Sequence, residues 1–328
     1  MIISVTGGTG FLGSHLVDRM IAQGHQVRAL VRKSSNLRWL DGKNVELVIG
    51  DIRDAASLEP FMQGTDIVYH IAGVVKARDR GGYFDGNVKA TENLLDAARR
   101  FAPNLHRFLY VSSQTAAGPA ASLDRPARED DPPNPITTYG HSKVAAEKAV
   151  RTMGDTLPWT IVRPPAMYGP RDTEIFIYFQ AIARGLNSMI GFDDKRLSLL
   201  HCDDLVQGMI LAAEAGNSVG QTYFISSDEF YSWPQVGSIT ASALGKRVFT
   251  MRLPHTLVYT VAAFAQGFSE LQKKPATLNI EKARDITQRY WICDINKAKN
   301  ELGYRPKVSI DEGIRTTIDW YRAEGWLK

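Results

Sequence analysis

Residues 2 to 13 read Ile2-Ile3-Ser4-Val5-Thr6-Gly7-Gly8-Thr9-Gly10-Phe11-Leu12-Gly13, and this stretch decides the fold. A β-branched run, a turn of small residues and an apolar pattern at Leu12, Leu16 and Met20, with Val17 and Ile21 beside it, predict strand, tight turn and helix. Small residues let the turn close, let backbone N–H groups approach a pyrophosphate, and let the helix pack on the strand with its positive N-terminus toward the anion. A glycine triplet alone is a weak signal. The strand before it and the helix after it give it weight.

Working outward, Val27 to Val31, Val45 to Ile49, Ile67 to Ile71, Phe108 to Val111 and Thr160 to Val162 are short apolar runs of the kind that strands buried on both faces require. Between them, Val88 to Arg100 and Ser142 to Met153 carry helical patterns. Strands alternating with helices predict an α/β doubly wound parallel sheet of the Rossmann type. Beyond Pro170 the regularity weakens. Leu199 to Ala215 reads as a strand, a turn and a helix capped by Asp203 or Asp204, and Tyr223 to Ile225 as another strand. The expected division is a dinucleotide-binding domain over residues 1–170, with contributions from about 199–227. A smaller, mostly helical substrate-binding region takes residues 171–198 and 228–328.

The 328 residues are 44% hydrophobic and 23% charged, which excludes collagenous, disordered and multi-spanning classes. Net charge is +4 without a basic run, so nucleic acid is not an expected partner. Cys202 and Cys293 stand far apart with no Cys/His cluster, so neither a disulfide framework nor a metal site is expected. With no secretory pattern at Met1-Ile2-Ile3-Ser4-Val5, the expected compartment is the cytoplasm.

Further segments stand in a telling order. Asp51-Ile52-Arg53-Asp54 follows the third strand, His70-Ile71-Ala72-Gly73 ends the fourth, and Asn87-Val88 starts the next helix. Tyr110-Val111-Ser112-Ser113-Gln114-Thr115 is a strand end bearing serine, and Tyr139-Gly140-His141-Ser142-Lys143 is a YxxxK. Arg163-Pro164 to Tyr168-Gly169-Pro170 and His201-Cys202-Asp203-Asp204 come later. With the GxxGxxG turn, these segments resemble the extended short-chain dehydrogenase/reductase superfamily over nearly the whole chain. The resemblance implies an NAD(P)-dependent enzyme with Ser113, Tyr139 and Lys143 as its catalytic residues. It implies cofactor contacts from Gly7, Thr9, Gly10, Phe11, Leu12, Gly13, Arg32, Asp51, Ile52, Ala72, Pro165 and Met167, and from Tyr139 and Lys143 as well. It also implies a homodimer built on the helices Val88 to Arg100 and Ser142 to Met153, with Leu94, Leu95, Ala98, Val144, Ala145 and Val150 serving both sheet and partner.

The chemistry fits the residue types. Tyr139 and Lys143, at i and i+4, share one helix face. A phenol with a pKa near ~10 is a poor acid or base at neutral pH, and an adjacent ammonium is expected to lower it. Ser113 can hydrogen-bond a small-molecule substrate's oxygen within reach of Tyr139. Relatives using NAD place a carboxylate after the second strand, where this chain has Val31 followed by Arg32-Lys33-Ser34. Cation in place of carboxylate favours the 2′-phosphate of NADP(H), with a solvated basic loop and use of NAD(H) as the alternatives.

Gly216-Asn217-Ser218-Val219-Gly220 matches the GxSxG of hydrolases, but a helix precedes it and a strand follows, the reverse of what a nucleophile elbow needs. It reads as an ordinary turn. Nucleotide-sugar epimerases and dehydratases carry Asn where this chain has Ala166, and an arginine where it has Leu197, although Lys195 and Arg196 are close. Arg163 to Pro170, Trp291-Ile292-Cys293-Asp294 and the closing Trp320-Tyr321 and Trp326 look more like the 3β-hydroxysteroid dehydrogenase-like branch. The expected reaction is hydride transfer between nicotinamide and a secondary alcohol or ketone on an apolar, sterol-like or otherwise hydrophobic skeleton. A nucleotide-sugar epimerase or dehydratase is the alternative, and a non-catalytic dinucleotide-binding regulator is the second. Leu257 to Phe268 is too short to span a bilayer. A core helix is its preferred reading, with a lid or a peripheral membrane contact as the others.

Overall fold

The computed structural model of the chain describes residues 1–272 and 278–327. Its main sheet has seven parallel strands: β1 (Ile2–Thr6), β2 (Gln26–Val31), β3 (Val45–Ile49), β4 (Ile67–His70), β5 (Arg107–Val111), β6 (Trp159–Arg163) and, later in the chain, β10 (Gln221–Phe224). The order is β10-β6-β5-β4-β1-β2-β3. Strand order therefore reverses between β1 and β4, and the crevice at their carboxyl ends is where a doubly wound sheet binds its ligand. β4, β5 and β6 are buried along their whole length, as unbroken apolar runs require, while the edge strand β3 exposes Leu47 and Ile49.

The helices Phe11–Ala22 and Cys202–Glu214 put Leu16, Val17, Leu205 and Met209 on one face of the sheet. Ala90–Phe101 and Thr138–Arg151 cover the other with Leu94, Leu95, Ala98, Ala146 and Val150. Of the residues expected to serve a dimer, Leu94, Leu95, Ala98 and Val150 are thus core. They pack with Phe108, Tyr110 and Ile161, whereas Val144 and Ala145 are half-buried, and Ala145 lies with Ala149, Leu95 and Met153 among Glu92, Asp96, Arg99 and Lys148.

The carboxyl-terminal region is mostly helical, as expected, but it also holds strands that no motif marked. Here β7 (Ala166–Tyr168), β9 (Arg196–His201), β11 (Phe230–Tyr231) and β13 (Tyr290–Trp291) form a small mixed sheet around β9, and β8 (Leu186–Ile190) pairs in parallel with β12 (Phe249–Leu253). These strands are two to six residues long and pair across distant sequence, so no local period announces them. The expected turn after Leu199 is absent. β9 runs directly into Cys202–Glu214, which is capped by His201 accepting from the Asp203 N–H, not by Asp203 or Asp204. Asp204 instead accepts from the N–H groups of Lys307 and Val308 at 2.9 Å each, clamping the later chain to the helix start.

The Gly216–Ser218 turn does follow a helix and precede β10, and Ser218 donates to the Ala212 and Ala215 carbonyls. That serine closes a turn. Among the described residues, no helix is long and apolar enough to cross a membrane.

Candidate active site

β1 ends at Thr6, and the chain turns at Gly7 back under the start of Phe11–Ala22. Gly13 has to be glycine: a Cβ there would stand 2.1 Å from the Gly7 carbonyl oxygen. Gly10 caps the helix without a side chain, so the first-turn N–H groups of Phe11, Leu12 and Gly13 are left for an anion. Thr6, Gly7, Thr9, Arg32, Asp51, Ile52, Ala72 and Gly73 line a cleft of about 310 Å3 at this point. A glycine cradle at a helix start, beside a polar cleft at the switch point, fits a nicotinamide dinucleotide, which when bound supplies or accepts a hydride.

At the far end of this cleft, Arg53 holds Asp51 through Nε at 3.0 Å and Nη2 at 2.6 Å. Those bonds bring the Asp51 carboxyl down to about 2, with Arg32 adding a smaller pull. Two guanidinium groups therefore flank the end of the cleft, and the second, Arg53, was not singled out from sequence. Pro165 lies apart from this cleft, beside Ser113 on the wall of the neighbouring cavity. Met167 is on β7, paired with Leu200, and packs partly buried against the core, so it lines neither.

Ser113 ends the β5 segment and caps the short helix Gln114–Ala117, accepting from the Thr115 N–H at 3.2 Å and its hydroxyl at 2.9 Å. This helix lies against the Thr138–Arg151 helix, where a Cβ on Gly140 would come within 2.6 Å of the Thr115 carbonyl oxygen. The close approach sets Tyr139 against Ser113. Tyr139 lies in the first turn of its helix, which begins earlier than the apolar period suggested. Thr137 accepts from the Gly140 N–H, and Glu281 accepts from the N–H and hydroxyl of Thr138.

Burial pushes the Tyr139 phenol up to about 12, the Ser113 contact pulls it back and Tyr83 raises it. The expected lowering by Lys143 is not what the site shows. Lys143, 3% exposed, donates to the Val111 carbonyl at 2.8 Å and sits 4.6 Å from the Tyr110 ring centre. Burial lowers its ammonium to about 7, opposed by the Glu147 carboxylate. Burial thus works against the charged form of Lys143, and Tyr139 holds its proton as a general acid would.

Beneath the site, Glu147 accepts from Arg163 at 2.8 and 2.7 Å and from Ser112 at 2.6 Å, all of them buried. Burial raises the Glu147 carboxyl, but the Arg163, Ser112 and Arg151 contacts together outweigh that and hold it below its usual value. One further chain orients the site. Thr6 Oγ1 accepts from the N–H groups of Ile71 and Ala72, so its own proton goes to His70 Nδ1 at 2.8 Å. His70, lowered by burial and by Lys143 to about 3, is neutral and donates from Nε2 to Thr91, which donates to the Asn87 carbonyl.

The Asn87 side chain pairs with both backbone groups of Val74 and donates to Ser142, which donates to the Tyr139 carbonyl. Asn87 sits in a π-helical turn, Asp85–Lys89, between two α-helical runs. Sequence marked it only as a helix start. The glycine turn and the Tyr139 turn are thus connected by an unbroken line of hydrogen bonds.

Ser113 also opens onto a second cavity of about 420 Å3. Its walls include Tyr178, Met189, Ile190, Trp233, Ile286 and Trp291, of which the sequence motifs named Trp291 alone. Lys195 reaches it but is held by Asp193 at 3.0 Å and by the Thr287 carbonyl at 2.6 Å, and Arg196 is paired with Asp194. The cations near the expected sugar-diphosphate position are already engaged.

The family model for the NAD dependent epimerase/dehydratase family matches residues 3–226. Ceramide reductase of Caulobacter vibrioides is 30% identical, over 99% of this chain and 96% of that protein. The 3 beta-hydroxysteroid dehydrogenase/Delta 5-->4-isomerase of Mycobacterium tuberculosis is 28% identical, over 97% of this chain and 90% of that protein. Among solved structures, gox2253 superposes with a TM-score of 0.84 at 28% identity, covering 100% of this chain and 99% of its own.

Proposed function

The chain belongs to the NAD dependent epimerase/dehydratase family, enzymes of the extended short-chain dehydrogenase/reductase type, and on that premise we propose that it reduces an apolar ketone or oxidises the corresponding secondary alcohol, preferring NADP(H). The observation that carries the reading is the cavity at Ser113. It is walled by aromatic and aliphatic side chains, and its cations are tied up by Asp193, Asp194 and backbone carbonyls. A nucleotide sugar would bring two phosphates to a wall whose described cations are all paired, Lys282 with Asp285 among them, and which has Ala166 where an amide is wanted, which is unfavourable for a buried anion. The relatives named ceramide reductase and hydroxysteroid dehydrogenase act, by those names, on apolar skeletons, in keeping with such walls. In this reading Ser113 and Tyr139 hold the substrate oxygen, Tyr139 moves the proton, and Lys143 sets the charge beside it.

The cofactor preference rests on Arg32, exposed at the rim of the dinucleotide cleft with no carboxylate after β2. Arg32→Ala is expected to weaken NADPH by roughly 1.5 to 3 kcal/mol, the worth of a charge-assisted contact, and to leave NADH nearly unchanged. Fluorescence titration of the two reduced cofactors measures this. Equal losses for both would remove Arg32 from cofactor selection.

A further inference from the structure

The helix His255–Gln272 presents two different faces. Inward, Val258 and Ala262 are buried with Ala283 and pack with Ile190, Leu253 and Ile286. Outward, Leu257, Val261, Phe264 and Phe268 are 46%, 48%, 77% and 63% exposed, at the i, i+4, i+7, i+11 spacing of one helical stripe. The core-helix reading therefore holds for the inner face alone. From Thr256 to Ser269 the segment contains no Asp, Glu, Lys or Arg.

The stripe does not end on a blank wall. A cleft of about 170 Å3, lined by Met189, Ile190, Phe192, Lys195, Trp233 and Arg252 among others, shares Met189, Ile190, Lys195 and Trp233 with the cavity at Ser113. It emerges beside Phe192, which is 70% exposed. Arg252 Nη1 donates to the Gly191 carbonyl, and His255, at the start of the striped helix, approaches Asp193 at 3.4 Å, so this mouth lies at the amino end of the stripe.

The surrounding charge is one-sided. Around this mouth four cations, Lys195, Arg196, Arg252 and Arg289, stand with two carboxylates, Asp193 and Asp194, and Arg252 is exposed and forms no ion pair among the described residues. We propose that this face, the stripe with Phe192 and the cations around the mouth, docks on an anionic phospholipid surface and turns the mouth of the substrate cavity toward the lipid. Apolar side chains entering the headgroup region and cations meeting lipid phosphates are the two contributions that hold an interfacial helix. That the cavity is fed from the bilayer rests on the apolar-substrate reading above. The docking itself does not.

The test is sedimentation of the purified chain with vesicles of phosphatidylcholine, alone and with phosphatidylglycerol added, with light scattering in parallel. It needs no turnover, so its failure would leave the oxidoreductase reading standing. The wild-type chain should sediment with the anionic vesicles and much less with the neutral ones. Phe264→Glu/Phe268→Glu should lower the partition by about a hundredfold or more while NADPH binding reports an intact fold. Arg252→Glu/Arg289→Glu, a change of two exposed side chains at the mouth, should remove the preference for anionic vesicles, and it serves alone if the phenylalanine variant does not fold. Wild-type chain left in the supernatant, or binding indifferent to these changes, would overturn the proposal. So would light scattering in which Phe264→Glu/Phe268→Glu splits a wild-type oligomer, because the stripe would then belong to a second copy.

Discussion

Tyr139→Phe is expected to lower turnover of an apolar ketone by ~10² to 10⁴ while leaving NADPH affinity close to wild type, because the change removes one hydroxyl and no packing. The phenol is held protonated, at about 12, by its burial, and it faces Ser113 at the mouth of the apolar cavity. Ser113→Ala should reduce turnover with little effect on cofactor binding. Lys143→Ala should harm both, since Nζ lies within 3.6 Å of where a Cβ on Gly73 would stand, on the wall of the dinucleotide cleft. Steady-state rates and fluorescence titration separate the two effects. Wild-type turnover by Tyr139→Phe would take Tyr139 out of the mechanism.

Glu147→Ala should cost about 3 to 5 kcal/mol of stability, read by urea unfolding, because it leaves the Arg163 guanidinium buried without its partner. Arg163 is 2% exposed and, among the described residues, forms no ion pair with any other carboxylate. Glu147→Leu with Arg163→Met should recover most of that loss, since a buried pair replaced by apolar groups of similar volume leaves no stranded charge. The double variant should still turn over poorly, because the carboxylate that supports the Lys143 ammonium is gone. A single variant as stable as wild type would show that the pair is not what holds the helix Thr138–Arg151 to β6.

Much of the first 170 residues was legible because its signals are local. The glycine turn, the apolar strands and the i, i+4 spacing of Tyr139 and Lys143 each lie within one element, and the structure places Ser113 beside them. What escaped is nonlocal or conformational. The Glu147–Arg163 pair joins a helix to a strand 16 residues on, and nothing in either segment alone announces it. The π-helical turn at Asn87 has no compositional signature, and β8 and β12 are short strands whose pairing spans some sixty positions. Helix starts were misplaced where the cap belongs to an unexpected residue: Thr137 in place of a start near Ser142, and His201 in place of Asp203 or Asp204. The fate of Leu257 to Phe268 could not be read from hydrophobicity, because one helix buries Val258 and Ala262 while exposing Phe264 and Phe268.

The most direct test of the central claim is the fate of deuterium at nicotinamide C4. NADPH carrying deuterium at both C4 positions is supplied with a long-chain or sterol-like ketone, and the product is examined by mass spectrometry and by NMR at the carbinol carbon. Direct transfer across the Ser113–Tyr139 site predicts an alcohol carrying the label on that carbon, formed in step with oxidised cofactor. Unlabelled alcohol, or turnover of a nucleotide sugar with no net change of cofactor while every apolar ketone is left untouched, would contradict it.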